Sequence, residues 1–344
     1  MAKSHYQTDA VIIGAGPVGL FAIFECGMMG IKCHVIDALD MIGGQCAALY
    51  PEKPIYDIPA HPQLTGMELI ANLTEQAAPF NPTYHLDQKV ESLTRLEETQ
   101  RWLVETEKGV TIDAKAIIIA AGVGAFGPNR PPLKDIESYE GKSVFYYIRQ
   151  REFFKGKRVA IAGGGDSAVD WALSLAELTE RIYFIHRRDK FRAAQESVNK
   201  LHALVDQGKV ELVIPYQLEG LEGRDGQLSA VVLKDLEGRA KTLQTDILLP
   251  FFGLAMNLGP ITEWGLNLDK KHITVDPSTA ATSAQGIYSI GDVATYKGKL
   301  KLILTGFAEA AQAAHSIREL MFPGEAFHFE YSTTQGLPGL SPKK

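Results

Sequence analysis

The sequence contains little cysteine. Three cysteines occur among its 344 residues, at positions 26, 33 and 46, and no two of them form a Cys-x-x-Cys pair. This spacing excludes a disulfide framework and the common cysteine-rich zinc sites. It also leaves residues 47–344 without any thiol. A dithiol that attacks a disulfide and resolves the mixed intermediate is therefore absent from that whole segment.

The sequence also lacks a basic excess and a long uninterrupted apolar run. Its formal net charge is −6, which argues against a nucleic-acid-binding protein. The apolar stretch at 11–31 contains Pro17, Glu25 and several glycines, and no basic segment directly precedes it. We therefore predict neither a signal peptide nor a membrane anchor. A hydrophobic fraction of 45% is typical of a globular protein of two or three domains, and we expect it to be cytoplasmic.

Glycine is abundant at one turn near the amino terminus. The sequence TDAVIIGAGPVGLFAIFECGMMGIKCHVID predicts a strand at about 10–13, a helix to about Met29, and a strand at 32–36 that ends on Asp37. The glycines permit a tight turn, close approach of a pyrophosphate and close helix packing, and the helix amino terminus attracts phosphate. Asp37 would accept the hydroxyls of a ribose. The residues expected to bind a dinucleotide here are Gly14, Gly16, Pro17, Val18, Gly19 and Asp37.

The same arrangement occurs again in GKRVAIAGGGDSAVDWALSLAELTERIYFIHRR, with strands predicted at 158–162 and 182–185. His186 follows Gly163 by 23 positions, as Asp37 follows Gly14 by 23 positions. In place of the acid, the second unit therefore has a histidine followed by arginines. A guanidinium pairs with the oxygens of a 2′-phosphate, which a carboxylate repels, so we predict NADP(H). The expected NADP(H) residues are Gly163, Gly165, Asp166, Ser167, Ala168, Arg187, Arg188 and Arg192.

Two different nucleotide sites imply two cofactors, and we expect the first to be FAD. The apolar stretch AKAIIIAAG at 114–122 ends in small residues and suits a crossing between domains. In TSAQGIYSIGDVA a strand ends on Gly291 and Asp292, whose carboxylate can bind ribityl hydroxyls. The loop GGQCAALYPEKPIYD, after Asp37, contains Gln45 and Tyr50.

These features resemble the thioredoxin-reductase-like branch of the two-dinucleotide-binding flavoproteins, from residue 7 to beyond 335. The segments GGQCAALYPEKPIYDIP, AAGVGAFGPNRPP, GGGDSAVDWA, HRRDKFRA and FEYSTTQGLPG resemble the bacterial ferredoxin–NADP(+) reductases of that branch. The resemblance implies an α/β fold with two Rossmann-like three-layer dinucleotide-binding domains. It further implies a discontinuous FAD domain at 1–121 and 251–344, into which an NADP domain at 122–250 is inserted.

The resemblance also assigns roles to individual residues. Tyr50 would stack on one part of the flavin ring. Tyr331, in the carboxyl-terminal tail, would cover the ring near its hydride-accepting face, with the tail reaching across a homodimer. We expect Cys46 to be a small buried residue without a redox role. By the same resemblance the FAD contacts are Gly14 to Val18, Asp37, Gln45, Tyr50, Val90, Phe126, Asp292 and Thr333.

The implied reaction passes a hydride from NADPH to flavin N5 and then two single electrons to ferredoxin or flavodoxin. Thioredoxin reductases carry a Cys-x-x-Cys pair just before the second glycine motif, whereas YYIRQREFF here has no cysteine, so their dithiol chemistry is not expected. No acid–base residue is expected to be catalytic. Another NADPH-dependent flavoprotein, such as a flavodoxin reductase, a diaphorase or a monooxygenase, stays open as an alternative, as does a flavin-binding module without turnover.

An acidic ferredoxin would need a basic docking patch. Two candidates are the lysines of YKGKLKLI, at 297, 299 and 301, and the pair Arg149 and Arg151. A helix predicted at 305–320 would stabilise negative charge on the flavin if its amino terminus points at the ring.

Overall fold

The computed structural model describes residues 4–324, apart from the side chains at 125–128 and 254–256. The α-helices of this part of the chain are α1 (Pro17–Met28), α2 (Gly44–Ala48), α3 (Gly66–Ala77), α4 (Asp166–Leu175), α5 (Gln195–Asp206) and α6 (Ile303–Met321). None of them is long and apolar enough to cross a membrane.

The first strands in chain order are β1 (Ser4–Ile13), β2 (Cys33–Ile36), β3 (Pro54–Ile55), β4 (Leu64–Thr65), β5 (Thr83–His85), β6 (Val90–Leu96), β7 (Arg101–Thr106), β8 (Val110–Ile119) and β9 (Ala125–Pro128). The strands that follow are β10 (Arg158–Ala162), β11 (Arg181–Ile185), β12 (Val210–Val213), β13 (Gln217–Arg224), β14 (Gln227–Lys234), β15 (Ala240–Gln244) and β16 (Ile247–Pro250). The last are β17 (Leu254–Asn257), β18 (Leu268–Asp269), β19 (His272–Thr274), β20 (Ile287–Ser289) and β21 (Ala294–Thr295).

The chain divides into two compact units. Among the described residues, unit 1 comprises 4–126 and 256–324, and unit 2 comprises 127–255. The divisions fall after 126 and 255, whereas the sequence led us to expect them after 121 and 250. β9 and β17, the strands at these two divisions, pair with each other as a two-stranded sheet.

Unit 1 is built on a seven-stranded sheet in the order β5-β2-β1-β8-β7-β6, with β20 also paired to β8. The strands β5, β2, β1, β8 and β20 run parallel, while β7 and β6 are antiparallel additions. Alternate residues of the central strands are buried on opposite faces of the sheet. Ile12 and Ile118 belong to the hydrophobic core that also contains residues of α1, α3 and α6. Ile117 and Ile119 belong to a second hydrophobic core. Burial on both faces explains why these strands are continuously apolar.

Unit 2 repeats the arrangement on a smaller scale. Its parallel sheet has the order β12-β11-β10-β16, and β13, β14 and β15 form a separate antiparallel sheet. In each unit the first parallel strand, β1 or β10, leads through a glycine loop into a helix, α1 or α4. Both loops therefore lie at the carboxyl ends of parallel strands, where open α/β sheets bind ligands.

Candidate functional site

A cavity of about 300 Å³ lies in unit 1 at the carboxyl ends of β1 and β2. It brings together most of the residues that the sequence predicts as FAD contacts. Those that line it are Gly14, Gly16, Pro17, Val18, Asp37, Gln45, Tyr50, Val90 and Asp292.

The turn between β1 and α1 has a conformation that requires glycine. Gly14 has a φ of +112°, and a Cβ on it would lie 2.3 Å from the carbonyl oxygen of Ala120. A Cβ on Gly19 would lie 1.9 Å from the carbonyl oxygen of Gly14. Gly19 does not line the cavity, so its part in the site is to let α1 approach the turn. Around Gly16, by contrast, the nearest atom to a Cβ is 3.9 Å away, which leaves room at the cavity surface.

Asp37 fixes the end of β2 to this turn. Its Oδ2 accepts a hydrogen bond from the Ala15 N–H at 2.6 Å, and its Oδ1 accepts one from the Leu39 N–H at 2.8 Å. Burial raises the pKa of the Asp37 carboxyl, and these two hydrogen bonds act in the opposite direction. A carboxylate oxygen has two lone pairs, so both oxygens can still accept a bond from a ligand hydroxyl.

Tyr50 and Cys46 form a mostly apolar part of the wall. The Cys46 thiol lies 3.6 Å from the Tyr50 hydroxyl and donates to it. Burial raises the pKa of the Cys46 thiol to about 11 and, with the nearby thiol, raises the pKa of Tyr50 as well. At neutral pH both groups are uncharged, and Cys46 is not a thiolate nucleophile.

Asp292 is held in the wall by a buried glutamate that the sequence did not point to. The N–H of the preceding residue, Gly291, donates to Oε2 of Glu309 at 2.8 Å. Oε1 of Glu309 accepts from the Tyr296 hydroxyl at 2.8 Å and from Lys299 Nζ. The carboxylate of α6 therefore determines the path of the loop that carries Asp292. A glutamate in an alanine-rich helix gives no signal of burial in the sequence.

The amino terminus of α6 borders the cavity. The helix begins at Ile303, two residues before the predicted start, and Ile303 lines the cavity together with Asp292. The first N–H groups of a helix have no intrahelical acceptor and carry the positive end of its dipole. This edge of the cavity therefore favours negative charge.

The cavity residues fit a dinucleotide. Trp264 lines the cavity, and its indole N–H is buried with no acceptor among the described residues. The glycine turn and the α1 amino terminus offer donors for phosphate, and the Asp37 carboxylate offers acceptors for hydroxyls. No motif in the sequence indicated Trp264.

The second glycine loop lies in unit 2 between β10 and α4. Nothing lies within 4 Å of where a Cβ on Gly165 would be, so this part of the loop is open. Ala168 is buried against the loop, as the motif requires. The loop is tied to the segment after β11, because the Arg192 N–H donates to the Gly164 carbonyl at 2.7 Å and the Ala194 N–H donates to Asp166 Oδ1 at 2.9 Å.

The predicted arginines gather beside this loop. Arg187, Arg188 and Arg192 are all exposed. Each lies close enough to His186 for its charge to contribute to the lowered pKa of that imidazole, although burial is the larger cause. His186 itself fills the space above Gly164, where a Cβ would lie 2.3 Å from its ring, and it stacks on Phe191. Its role is therefore to support the turn that presents the guanidinium groups.

Three predicted FAD contacts are not part of this geometry. Phe126 belongs to β9, but its side chain is not described. Tyr331 and Thr333 lie outside the described residues.

Comparison with known proteins agrees with this architecture. Residues 8–315 match the pyridine nucleotide-disulphide oxidoreductase family. A ferredoxin–NADP reductase of Paramagnetospirillum magneticum is 59% identical over 97% of this chain and 99% of its own length. One of Rhodospirillum rubrum is 56% identical over 97% of both chains.

Solved structures give the same result for the fold. The thioredoxin reductase of T. acidophilum matches with a TM-score of 0.79 at 25% identity, over 92% of this chain and 99% of that one. The thioredoxin reductase of Lactococcus lactis matches with a TM-score of 0.78 at 24% identity, over 91% and 98%. The predicted fold class, an α/β protein with one dinucleotide-binding domain inserted into another, is confirmed. The chain belongs to the pyridine nucleotide-disulphide oxidoreductase family.

Proposed function

We propose that this chain is a ferredoxin–NADP reductase, a flavoprotein that passes electrons between NADPH and ferredoxin. Its family gives it FAD and NADP(H) as cofactors. The main observation behind the proposal is that the two glycine loops lie beside side chains of opposite charge. Asp37 stands beside the loop of unit 1, and three arginines surround His186 beside the loop of unit 2. Relatives of that name match this chain over 97% of its length.

Unit 1 is the proposed FAD-binding unit. The turn at 14–18 and the α1 amino terminus would hold the pyrophosphate, and Asp37 would hold the adenosine ribose. Gln45, Tyr50 and Asp292 would contact the flavin end, with Val90 at the adenosine end. Phe126 and Thr333 are proposed contacts on the strength of the family resemblance.

Unit 2 is the proposed NADP(H)-binding unit. The loop of Gly163, Gly165, Asp166, Ser167 and Ala168 would receive the pyrophosphate at the amino terminus of α4. Arg187, Arg188 and Arg192 would pair with the 2′-phosphate, since planar guanidinium groups match phosphate oxygens in geometry and charge.

When bound, FAD supplies the conversion between hydride transfer at its N5 atom and one-electron transfer to an iron–sulfur acceptor. The residues of the chain position and shield the reacting parts. Tyr50 forms an aromatic wall that excludes water, and the α6 amino terminus favours negative charge at the adjoining edge. Because the Cys46 thiol is protonated and residues 47–344 contain no cysteine, no thiolate pair competes for the electrons.

Several finer points of the proposal come from the sequence and from the family resemblance. Tyr331 would stack near the hydride-accepting face, supplied by the tail of a second subunit in a homodimer. The protein would act in the cytoplasm, with flavodoxin as an alternative acceptor.

The test is an anaerobic mixing experiment with the purified holoprotein. We expect NADPH to bleach the flavin absorbance, NADH to do so much more slowly, and added ferredoxin to produce NADPH-dependent reduction of cytochrome c. Bleaching without ferredoxin-dependent turnover would instead favour a diaphorase or another NADPH-dependent flavoprotein. No bleaching by either nucleotide would contradict an NADPH-dependent enzyme altogether.

A further inference from the structure

Three leucines of unit 1 are exposed in one short segment. Leu300, Leu302 and Leu304 are 62%, 39% and 42% exposed. They occupy alternate positions from three residues before α6 to the second residue of that helix, whereas Ile303, between Leu302 and Leu304, lines the cavity. Large apolar side chains clustered on a surface typically mark an interaction site.

Lysines border these leucines. Lys297 and Lys301 are exposed and flank Leu300 in the same segment. Lys301 Nζ donates to Nε2 of His272 at 2.8 Å, and His272 follows the exposed lysines at 270 and 271 in the turn between β18 and β19. Burial, and after it the charge of Lys301, lowers the pKa of His272, which favours the neutral imidazole that can accept this hydrogen bond.

Lys299 does not contribute to this border, although the sequence suggested that it would. Its side chain is 5% exposed, and its ammonium group pairs with Glu309 inside unit 1. The remaining exposed charges between 296 and 304 are positive, because this segment contains no acidic residue. On a chain with a net charge of −6, such a basic segment is a local exception.

This surface also lies next to the cavity. Ile303 is bonded to both Leu302 and Leu304 and lines the cavity with Asp292. Asp292 is also close enough to His272 for its negative charge to act on the imidazole, where it opposes the lowering of the pKa. A protein bound to the leucines would therefore lie within one residue of the wall of the proposed FAD site.

We infer that the surface of Leu300, Leu302 and Leu304, bordered by Lys270, Lys271, Lys297 and Lys301, docks the acidic electron-acceptor protein. This inference rests on the proposed function and specifies where its partner binds. An apolar centre with a basic border suits a transient complex, in which lysines steer an acidic partner and the leucines exclude water at the contact. Small interfaces of this kind are typical of electron-transfer pairs.

Two variants of the full-length holoprotein test the inference. In Lys270→Gln/Lys271→Gln/Lys297→Gln three of the four steering charges are removed, and in Leu300→Ser/Leu304→Ser the apolar centre is weakened while Ile303 stays in place. The readout is kcat/KM for ferredoxin in NADPH-dependent cytochrome c reduction, measured across a salt series. We expect kcat/KM of the lysine variant to fall about tenfold at low salt and to lose most of its salt dependence, because steering acts on the association rate. We expect the leucine variant to lose about tenfold at every salt concentration.

Controls separate docking from flavin chemistry and from the rival surface. The rate of flavin bleaching by NADPH and turnover with a neutral quinone should match the wild type in both variants. Arg149→Gln/Arg151→Gln, on unit 2, should retain wild-type kcat/KM for ferredoxin.

Three results would overturn the inference. One is wild-type ferredoxin kinetics in both variants, and another is a loss found only in the arginine variant. The third is a change in sedimentation that shows the leucines to be an interface between copies of this chain. In all three cases ferredoxin reduction by the wild type would still support the proposed function. If the wild type itself failed to reduce ferredoxin, the proposed function and this surface would fall together.

Discussion

Lys299 and Glu309 form an ion pair in which both side chains are almost completely buried, at 5% and 2% exposed. The Glu309 carboxylate also accepts hydrogen bonds from the Gly291 N–H and the Tyr296 hydroxyl, so both of its oxygens are hydrogen-bonded. Breaking a buried pair by removing one partner leaves an uncompensated charge, which costs more than the pair contributes. The pair therefore makes the loop before α6, and Asp292 within it, sensitive to a single substitution.

We predict that Lys299→Met lowers the free energy of unfolding by about 3–5 kcal/mol, because Glu309 loses its cation inside the fold. Urea unfolding of the holoprotein, followed by circular dichroism, measures the change. Lys297→Met, two residues earlier and exposed, is the matched control and should change the free energy by less than about 0.5 kcal/mol. Equal stability of the two variants would show that the ion pair is not important for the fold.

The two glycine loops could be located from sequence because their requirements are local. A glycine with a φ of +112° at position 14, or a strand that ends on Asp37, follows from residues close together in the chain. The replacement of that acid in unit 2 by His186, with arginines following it, could be read from the sequence for the same reason.

Long-range packing explains what the sequence could not reveal. Glu309 lies 18 residues from its partner Gly291, and Trp264 reaches the cavity from outside every motif. Lys299 appears in the sequence as one of three alternating lysines, and only the fold distinguishes it from Lys297 and Lys301.

The arginines beside the second loop should determine the preference of the protein for NADPH over NADH. We predict that Arg187→Ala and Arg188→Ala each lower kcat/KM for NADPH by about tenfold to a hundredfold, since each removes charge-assisted hydrogen bonds to the 2′-phosphate. The values for NADH should stay nearly unchanged, because that nucleotide lacks the phosphate. Steady-state kinetics with a neutral quinone measure both.

Arg181→Ala is the matched control for these two variants. Arg181 begins the same strand, β11, and pairs with Glu211 at 3.2 Å at the opposite end from the loop. A similar loss of NADPH activity in all three variants would point to a general effect on unit 2 in place of phosphate recognition.

Cys46 should be almost unreactive in the folded protein at neutral pH. A thiol whose pKa is raised stays protonated until the pH approaches that pKa, so with a pKa of about 11 roughly one molecule in ten thousand is a thiolate at pH 7. We predict that iodoacetamide labels Cys46 very slowly and that the rate rises about tenfold for each pH unit while the fold persists. Mass spectrometry of a tryptic digest measures the labelled fraction.

Denatured protein supplies the reference for this labelling, because all three cysteines are accessible when the chain is unfolded. Cys46→Ser should retain NADPH-dependent reduction of ferredoxin, since the thiol is not expected to carry electrons. Rapid labelling of the native protein at pH 7, or loss of turnover in this variant, would contradict the assignment of Cys46 as an inert wall residue.

Alanine substitutions at Gly165 and Gly163 should distinguish an effect on nucleotide binding from an effect on stability within the same loop. Gly165 has a φ of −100°, which alanine tolerates, and its Cβ would enter open space, so Gly165→Ala should cost no more than about 1 kcal/mol of stability. The added methyl group would stand where the NADP(H) phosphates approach the backbone, and we expect KM for NADPH to rise at least about tenfold. A Cβ on Gly163 would instead lie 2.8 Å from the Phe251 carbonyl oxygen, so Gly163→Ala should destabilise the chain by about 1–3 kcal/mol. Thermal unfolding and NADPH kinetics on both variants test the contrast, and an unchanged KM in Gly165→Ala would mean that the phosphates bind elsewhere.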